Sequence, residues 1–322
     1  MQLRTLTRFG WPLLLLVACG TDSVDPEIDD DPGDLEGIEE VGDGLTNLSS
    51  QCAFNATSGL MTLTLNTTNV AMISKASSGN VVVNGFTCQS ADATPVVVTS
   101  TNLKKISVVE GTAGSQTLIL DYLGGTFAPG ISGAVGVDVN LGATGTDALK
   151  IRGTKLADTY VFGATGITTN TDAFNDITYA AGIDSFVVTM SDGNDSFSGA
   201  GSAATGGAFA SALTIYGGAG NDTIQGGDGD DTYFGGDGDD TFKSAATDDG
   251  SDTMNGGAHT VADIADYSNR SSAVTVTLEN TANDGIGGAT EGDNVKDDVE
   301  TVKGGSGNDT LTGNSSANTL TG

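Results

Sequence analysis

The sequence predicts an all-β fold, a β-rich N-terminal part followed by a β-solenoid, and three observations carry that expectation. Glycine supplies 48 of 322 residues, against 11 Phe, 6 Tyr and 1 Trp, and so few large side chains do not fill a conventional helical core. Short apolar runs such as LMTLTLN, VVVNGFTC and KKISVVEG recur between Gly, Asn and Ser clusters at roughly ten-residue spacing, which reads as strands and turns. Residues 217–243 fall into three tandem nine-residue units, GGAGNDTIQ, GGDGDDTYF and GGDGDDTFK, and a short fixed period marks a solenoid. With 12 basic against 42 acidic residues, the chain lacks the positive footprint that phosphate contacts need, so nucleic acid is excluded as a partner and cations are the natural ones.

In chain order, residues 1–18 are a leader. Arg4 and Arg8 precede the apolar run WPLLLLVA, which is too short to span a bilayer as a mature helix. The stretch Leu16-Val17-Ala18-Cys19-Gly20 resembles the bacterial lipoprotein signal. That resemblance implies that Cys19 becomes a lipidated N-terminus and anchors the protein in the cell envelope, at the outer membrane or cell surface. An ordinary secretory signal, giving a soluble extracellular protein, is the alternative. Removing the leader takes two arginines and no acid, so the mature charge becomes 10 − 42 = −32.

Residues 19–48 read as an acidic tether: 22–43 hold eleven acids and no base, too little apolar surface to offset the entropy of ordering them. Cys52 and Cys88 remain once Cys19 is assigned to the anchor. In an exported chain an even pair predicts a disulfide, worth ~3–4 kcal/mol through the loop it closes. Residues 49–142 read as a β-rich domain, sandwich or solenoid-like. From 143 to 322 the triplet Asp, small or polar residue, large apolar residue recurs, at Asp147, Asp158, Asp184, Asp195, Asp222, Asp231, Asp240, Asp252 and Asp309, as a solenoid would leave it.

Within each nine-residue unit the glycines allow tight backbone that side chains forbid, so the first six residues turn and the last three form a short strand. Strand alternation sends Ile224, Tyr233 and Phe242 inward and Thr223, Thr232 and Thr241 outward. One large apolar residue per nine is a thin core, and the turns bring carbonyl oxygens and the carboxylates of Asp222, Asp231 and Asp240 together. Hard oxygen donors in a flexible loop are what calcium takes.

These units resemble the RTX, or hemolysin-type, calcium-binding nonapeptide repeat GGxGxDxUx. The resemblance implies a right-handed parallel β-roll, two nonapeptides per turn, with the loop of Asp222 stacked on that of Asp240 and the loop of Asp231 on the opposite side. It implies calcium held by those aspartates and by loops containing Gly217, Gly218 and Gly220, Gly226, Gly227 and Gly229, and Gly235, Gly236 and Gly238. Asp228, Asp230, Asp237 and Asp239 are expected to set the field rather than ligate. Asp252 keeps the aspartate but lacks the leading glycine pair; Gly305, Gly307 and Asp309 belong to a full unit; Asn318 replaces the aspartate in the unit after it. Residues 256–303 read as a strand-rich insert between repeat blocks.

Catalytic patterns are thin. The single histidine, His259, rules out HExxH zinc proteases and reads as an exposed loop residue. No GxSxG elbow, P-loop or dinucleotide fingerprint occurs, and Thr232 and Thr241 stand where an EF-hand needs a ligand. The function that follows is a calcium-binding, lipid-anchored surface protein with a structural or adhesive role and no turnover, its further partner a surface polysaccharide or protein. The enzymatic alternative is a calcium-dependent β-helix lyase using the basic cluster Lys150-Arg152-Lys155 on an acidic polysaccharide.

Overall fold

A computed structural model describes residues 45–66, 68–127, 136–170 and 174–322. The leader, Cys19 and the tether as far as residue 44 lie outside the described residues. Residues 45–48, placed in the tether by the sequence, are described. Leu48 is 1 % exposed, packed in the core, and the Thr46 carbonyl accepts a hydrogen bond from Asn84 Nδ2 at 3.0 Å.

The described chain is all-β, and most of it winds so that successive strands fall alternately on two long sheets, one of thirteen strands and one of ten. Pairing along each sheet is mainly parallel. In the first sheet Thr223–Gln225 pairs with Thr241–Lys243, and Ile264–Asp266 and Thr301–Lys303 follow. In the second, Leu213–Ala219 pairs with Thr232–Asp237 and then Thr253–Ala258. One turn of the perfect repeat is therefore 18 residues, two nonapeptides, the spacing at which Ile215 meets Tyr233 and Ile224 meets Phe242.

The register stacks inward side chains in columns. Ile224, Tyr233, Phe242 and Met254 are fully buried, and the rings of Tyr233 and Phe242 lie 6.0 Å apart between the sheets. Each such burial is worth ~1.5–3 kcal/mol. Above the repeats the column thickens into Phe162, Phe186, Phe197 and Phe209, whose rings touch at 4.9–5.6 Å.

The position read as a domain boundary lies between Val137–Asn140 and Ala148–Arg152, and both sheets continue across it: Val137–Asn140 pairs in parallel with Ile177–Tyr179, and Ala148–Arg152 with Thr117–Asp121. Of the two architectures open for 49–142, the chain takes the solenoid. Antiparallel strand pairs occur in excursions: Cys52–Asn55 on Leu60–Leu65, the segments Val81–Val83 and Phe86–Thr87, Thr159–Gly163 with Gly166–Thr168 and Ile177–Tyr179, and Val274–Thr277 with Gly285–Ile286. The disulfide Cys52–Cys88 ties the first of these to the second, with Cα atoms 5.8 Å apart. The expected insert at 256–303 is largely not an insert. Ile264–Asp266, Asn294–Val295 and Thr301–Lys303 continue the two sheets, and only Val274–Thr277 and Gly285–Ile286 leave them, to pair with each other and with Thr310–Thr312.

Candidate metal centre

Two rows of loops connect the sheets, one at each edge. At the first edge, loops leaving the second sheet end at Asp158, Asp195, Asp222, Asp240 and Asp263, each one residue before a first-sheet strand. Here every turn donates a backbone N–H to the carboxylate of the next: Asp158 N to Asp195 Oδ1 at 2.6 Å, Asp195 N to Asp222 at 2.7 Å, Asp222 N to Asp240 at 2.7 Å and Asp240 N to Asp263 at 2.8 Å. One oxygen of each carboxylate thus stitches neighbouring turns. The other, Oδ2 of Asp195, Asp222, Asp240 and Asp263, is buried and accepts no hydrogen bond.

The glycines explain why these oxygens fit. A Cβ on Gly217 would strike both Asp222 Oδ2 and the Gly235 carbonyl oxygen, and one on Gly235 would strike Asp240 Oδ2 and the Gly256 carbonyl oxygen. The missing side chain leaves an unpartnered carboxylate oxygen and a carbonyl from the next turn facing one space. Gly220 and Gly238 bend the loop through φ of +128° and +142°, and Gly218 and Gly236 through +105° and +108°, all costly for a residue with Cβ.

Burial without a countercharge raises the pKa of these carboxyls. It pushes Asp222 up to about 8, with Asp240 and Asp195 adding repulsion. Asp240 rises to about 7 for the same reason, beside Asp263 and Asp239. Asp195 rises to about 7 and Asp263 to about 6, again chiefly by burial. An anionic, oxygen-only, unsatisfied cradle fits a hard divalent cation such as calcium, which would neutralise the row and use the idle oxygens.

The second edge, where first-sheet strands return to the second sheet, is built differently. The stitching persists, Leu213 N to Asp231 Oδ1 at 2.8 Å, Asp231 N to Asp252 at 3.0 Å and Asp252 N to Asp293 at 2.9 Å. Here, however, the second oxygens of Asp231, Asp252 and Asp293 are occupied, and that of Asp147, earlier on this edge, is buried and unpartnered. Gly227 N donates to Asp231 Oδ2 at 2.9 Å, the Tyr233 hydroxyl to Asp252 Oδ2 at 2.7 Å and the Tyr267 hydroxyl to Asp293 Oδ2 at 2.9 Å. A Cβ on Gly226 would collide with the Tyr233 hydroxyl as well as Asp231 Oδ2. Gly229 packs against Ser211 rather than a carboxylate. Beside them a fully buried Arg270 pairs with Asp249 at 2.5 Å and Glu291 at 2.6 Å. Burial pushes Asp252 up to about 9 and Asp293 to about 8, and phenol and backbone donors with one guanidinium engage the carboxylates of this part of the edge.

A third, shorter stack holds the last full unit. Val274 N donates to Asp309 Oδ1 at 3.0 Å, and Asp309 Oδ2 is buried and unpartnered. A Cβ on Gly304 would meet that oxygen, while Gly305 and Gly307 lie against the backbone at Arg270 and at 272–273. Asn318 accepts from Asn314 N at 2.9 Å. Asp239 points away from the cradle: its Oδ1 accepts from the backbone of Thr260, Val261 and Ala262, and those bonds hold its carboxyl below the usual range. Asp230 does the same for Ser251 N at 2.9 Å. Of the basic cluster, Arg152 is engaged by both oxygens of Asp121, at 3.0 and 2.8 Å, so that guanidinium is committed to the protein.

Asp195, Asp263 and Glu300 join the first edge without having been singled out as ligands in the sequence. The signal for Asp195 is present as Gly-Asn-Asp, which occurs at 193–195, 220–222 and 307–309. It is obscured because Ser191, at φ +74°, stands where the repeats place their second glycine. For Asp263 and Glu300 no sequence pattern survives.

Residues 214–242 and 296–322 match the family model of the RTX calcium-binding nonapeptide repeat, in four copies. The chain thus carries RTX calcium-binding repeats on a parallel β-solenoid. No curated protein and no solved structure matches the chain.

Proposed function

We propose that the protein is a calcium-stabilised surface solenoid, exported and held in the bacterial cell envelope by a lipid on Cys19, with a structural or adhesive role. The observation that carries the calcium assignment is the row of buried, unpartnered oxygens, Asp195, Asp222 and Asp240 Oδ2, along one edge, repeated at Asp309. Calcium would be held by those oxygens together with carbonyls of the adjoining turns, such as those of Gly235 and Gly256. Its contribution is charge neutralisation and cross-linking of turns, so ordering is coupled to loading. Extracellular modules bind calcium at ~10⁻⁴–10⁻³ M, which suits a chain that stays loose inside the cell and stiffens after export. Asp231 and Asp252, read from the sequence as ligands, serve in this proposal to brace the opposite edge, since their second oxygens accept hydrogen bonds from Gly227 N and the Tyr233 hydroxyl. Extra charge from Asp228, Asp230, Asp237 and Asp239 draws cations to the loops.

A solenoid with an acidic face fits a structural or adhesive role toward a surface polysaccharide or protein ligand, and Arg152, from the cluster that a lyase would use on an acidic sugar, is bound by Asp121. Circular dichroism and thermal melting in EGTA and in excess calcium test the calcium reading; identical spectra and melting would refute it. Membrane partitioning of the wild type against Cys19→Ala tests the anchor, and equal partitioning would replace it with a soluble secreted protein.

A further inference from the structure

The edge with the idle carboxylate oxygens changes chemistry near its end. The loop from Gly256 runs Gly-Gly-Ala-His-Thr-Val-Ala-Asp to Asp263, two residues longer than the loops ending at Asp222 and Asp240, and it places His259 where those carry Gly220 and Gly238. The next turn replaces the aspartate with Glu300, whose Oε2 accepts the Asp263 N–H at 3.0 Å. One donor atom each from His259, Asp263 and Glu300 lies within 4.8 Å of the other two. His259 Nδ1 stands 3.3 Å from Glu300 Oε2 and 3.8 Å from Asp263 Oδ2. Independently, the Asp263 side chain is fully buried, with Oδ2 aimed at this group and lacking any hydrogen-bond partner.

Two cations could occupy that centre. A protonated His259 bridging the carboxylates accounts for the contact to Glu300 but leaves Asp263 Oδ2 at 3.8 Å, beyond hydrogen-bond reach. A metal ion bonds all three. Tetrahedral coordination with bonds of ~2.0–2.1 Å sets donor atoms ~3.3–3.4 Å apart, a spacing one pair already has and a second misses by a few tenths of an ångström. Calcium prefers six to eight oxygens, whereas an imidazole with two carboxylates is a donor set for zinc and its neighbours.

We propose that His259, Asp263 and Glu300 bind one divalent transition-metal ion of the zinc class, distinct from the oxygen-only positions along the same edge. The half-exposed imidazole, 34 % accessible, leaves the remaining coordination position to solvent. The site stands on its own donors and does not depend on calcium occupying the other turns.

The test uses the full chain in saturating calcium, dialysed against Zn²⁺ and analysed for both metals, with Co²⁺ as the optical probe. The expected result is one zinc retained per chain in millimolar calcium. Cobalt should give visible absorption of four- or five-coordinate strength, and zinc should displace it one for one. His259→Ala and the volume-keeping His259→Gln should weaken zinc binding by more than the ~10–100-fold typical of losing an outer-shell partner, while bound calcium and β content stay at wild-type values. Failure to retain zinc, complete displacement by millimolar calcium, or unchanged zinc affinity in both variants overturns the proposal. Calcium is counted in the same samples, so a failure of the calcium reading shows separately.

Discussion

Replacing Asp240 with Asn should have opposite effects on stability with and without calcium. Asn keeps an oxygen for the Asp222 N–H, now accepted by Asp240 Oδ1 at 2.7 Å, and removes a buried negative charge. In the folded, metal-free protein Asp240 is pushed from 3.8 to about 7. A difference of about three pKa units at ~1.4 kcal/mol each makes the ionised carboxylate a burden on the order of 4 kcal/mol at pH 8, a ceiling because neighbouring carboxylates share it. Asp240→Asn should therefore be at least as stable as the wild type in EGTA at pH 8. With calcium at about 100 times its Kd, one bound ion stabilises the wild type by ~2.7 kcal/mol, and the variant should forfeit most of that. Urea unfolding followed by circular dichroism at pH 8, in EGTA and in 10 mM calcium, reads both terms. Equal destabilisation in the two conditions would mean that Asp240 matters only through its hydrogen bond, and the assignment of Oδ2 to calcium would fall.

Three further outcomes follow from the same geometry. The unfolded chain releases the protons of Asp195, Asp222 and Asp240 near 3.8, while the folded one holds them to about 7, 8 and 7; the folded state then binds more protons, so metal-free stability should fall from pH 4 to pH 8 as calcium affinity rises. A melting temperature in EGTA that climbs over that interval would contradict this. Tyr233→Phe should cost ~1–3 kcal/mol by stripping Asp252 Oδ2 of its donor, and by a similar amount with or without calcium, since protein donors already engage the carboxylates there; a calcium-dependent loss in paired denaturant curves would place an ion there. Cys52→Ser should cost ~4 kcal/mol through the loop of sequence separation 36, the Cys52→Ser/Cys88→Ser double variant no more than either single, and calcium binding should barely change because stability in a solenoid passes mainly between adjacent turns; additive losses would argue against a shared bond.

The local grammar of the fold was legible in the sequence because it is set within nine residues. Paired glycines, an aspartate and an alternating Thr-apolar pair dictate turn then strand, and Ile224, Tyr233 and Phe242 are buried as that alternation requires. The carboxylate row was legible where Gly-Asn-Asp or Gly-Asp-Asp is intact. It was lost where Ser191 accepts the left-handed backbone of a glycine, or where a longer loop ends at Asp263. The continuation of the sheets through residues 49–142 and 256–303 left no repeat to read, since parallel pairing needs only backbone groups and an inward apolar residue, which many sequences supply.

By itself, then, the sequence determined that the chain is all-β, that its repeats turn every nine residues, and that their carboxylates call for a cation. Which carboxylates need one was decided only in three dimensions. Asp222 and Asp231 occupy equivalent places in the repeat, yet Asp222 Oδ2 is left without a donor while Asp231 Oδ2 accepts the Gly227 N–H. The difference comes from how the second glycine of each unit is held: Gly218 lies in the strand ladder opposite Gly236, whereas Gly227 lies between strands and its N–H turns onto its own unit's carboxylate. Which glycine joins the ladder is set by pairing with a strand one full turn away, 18 residues along the chain, a relation that no nine-residue window contains.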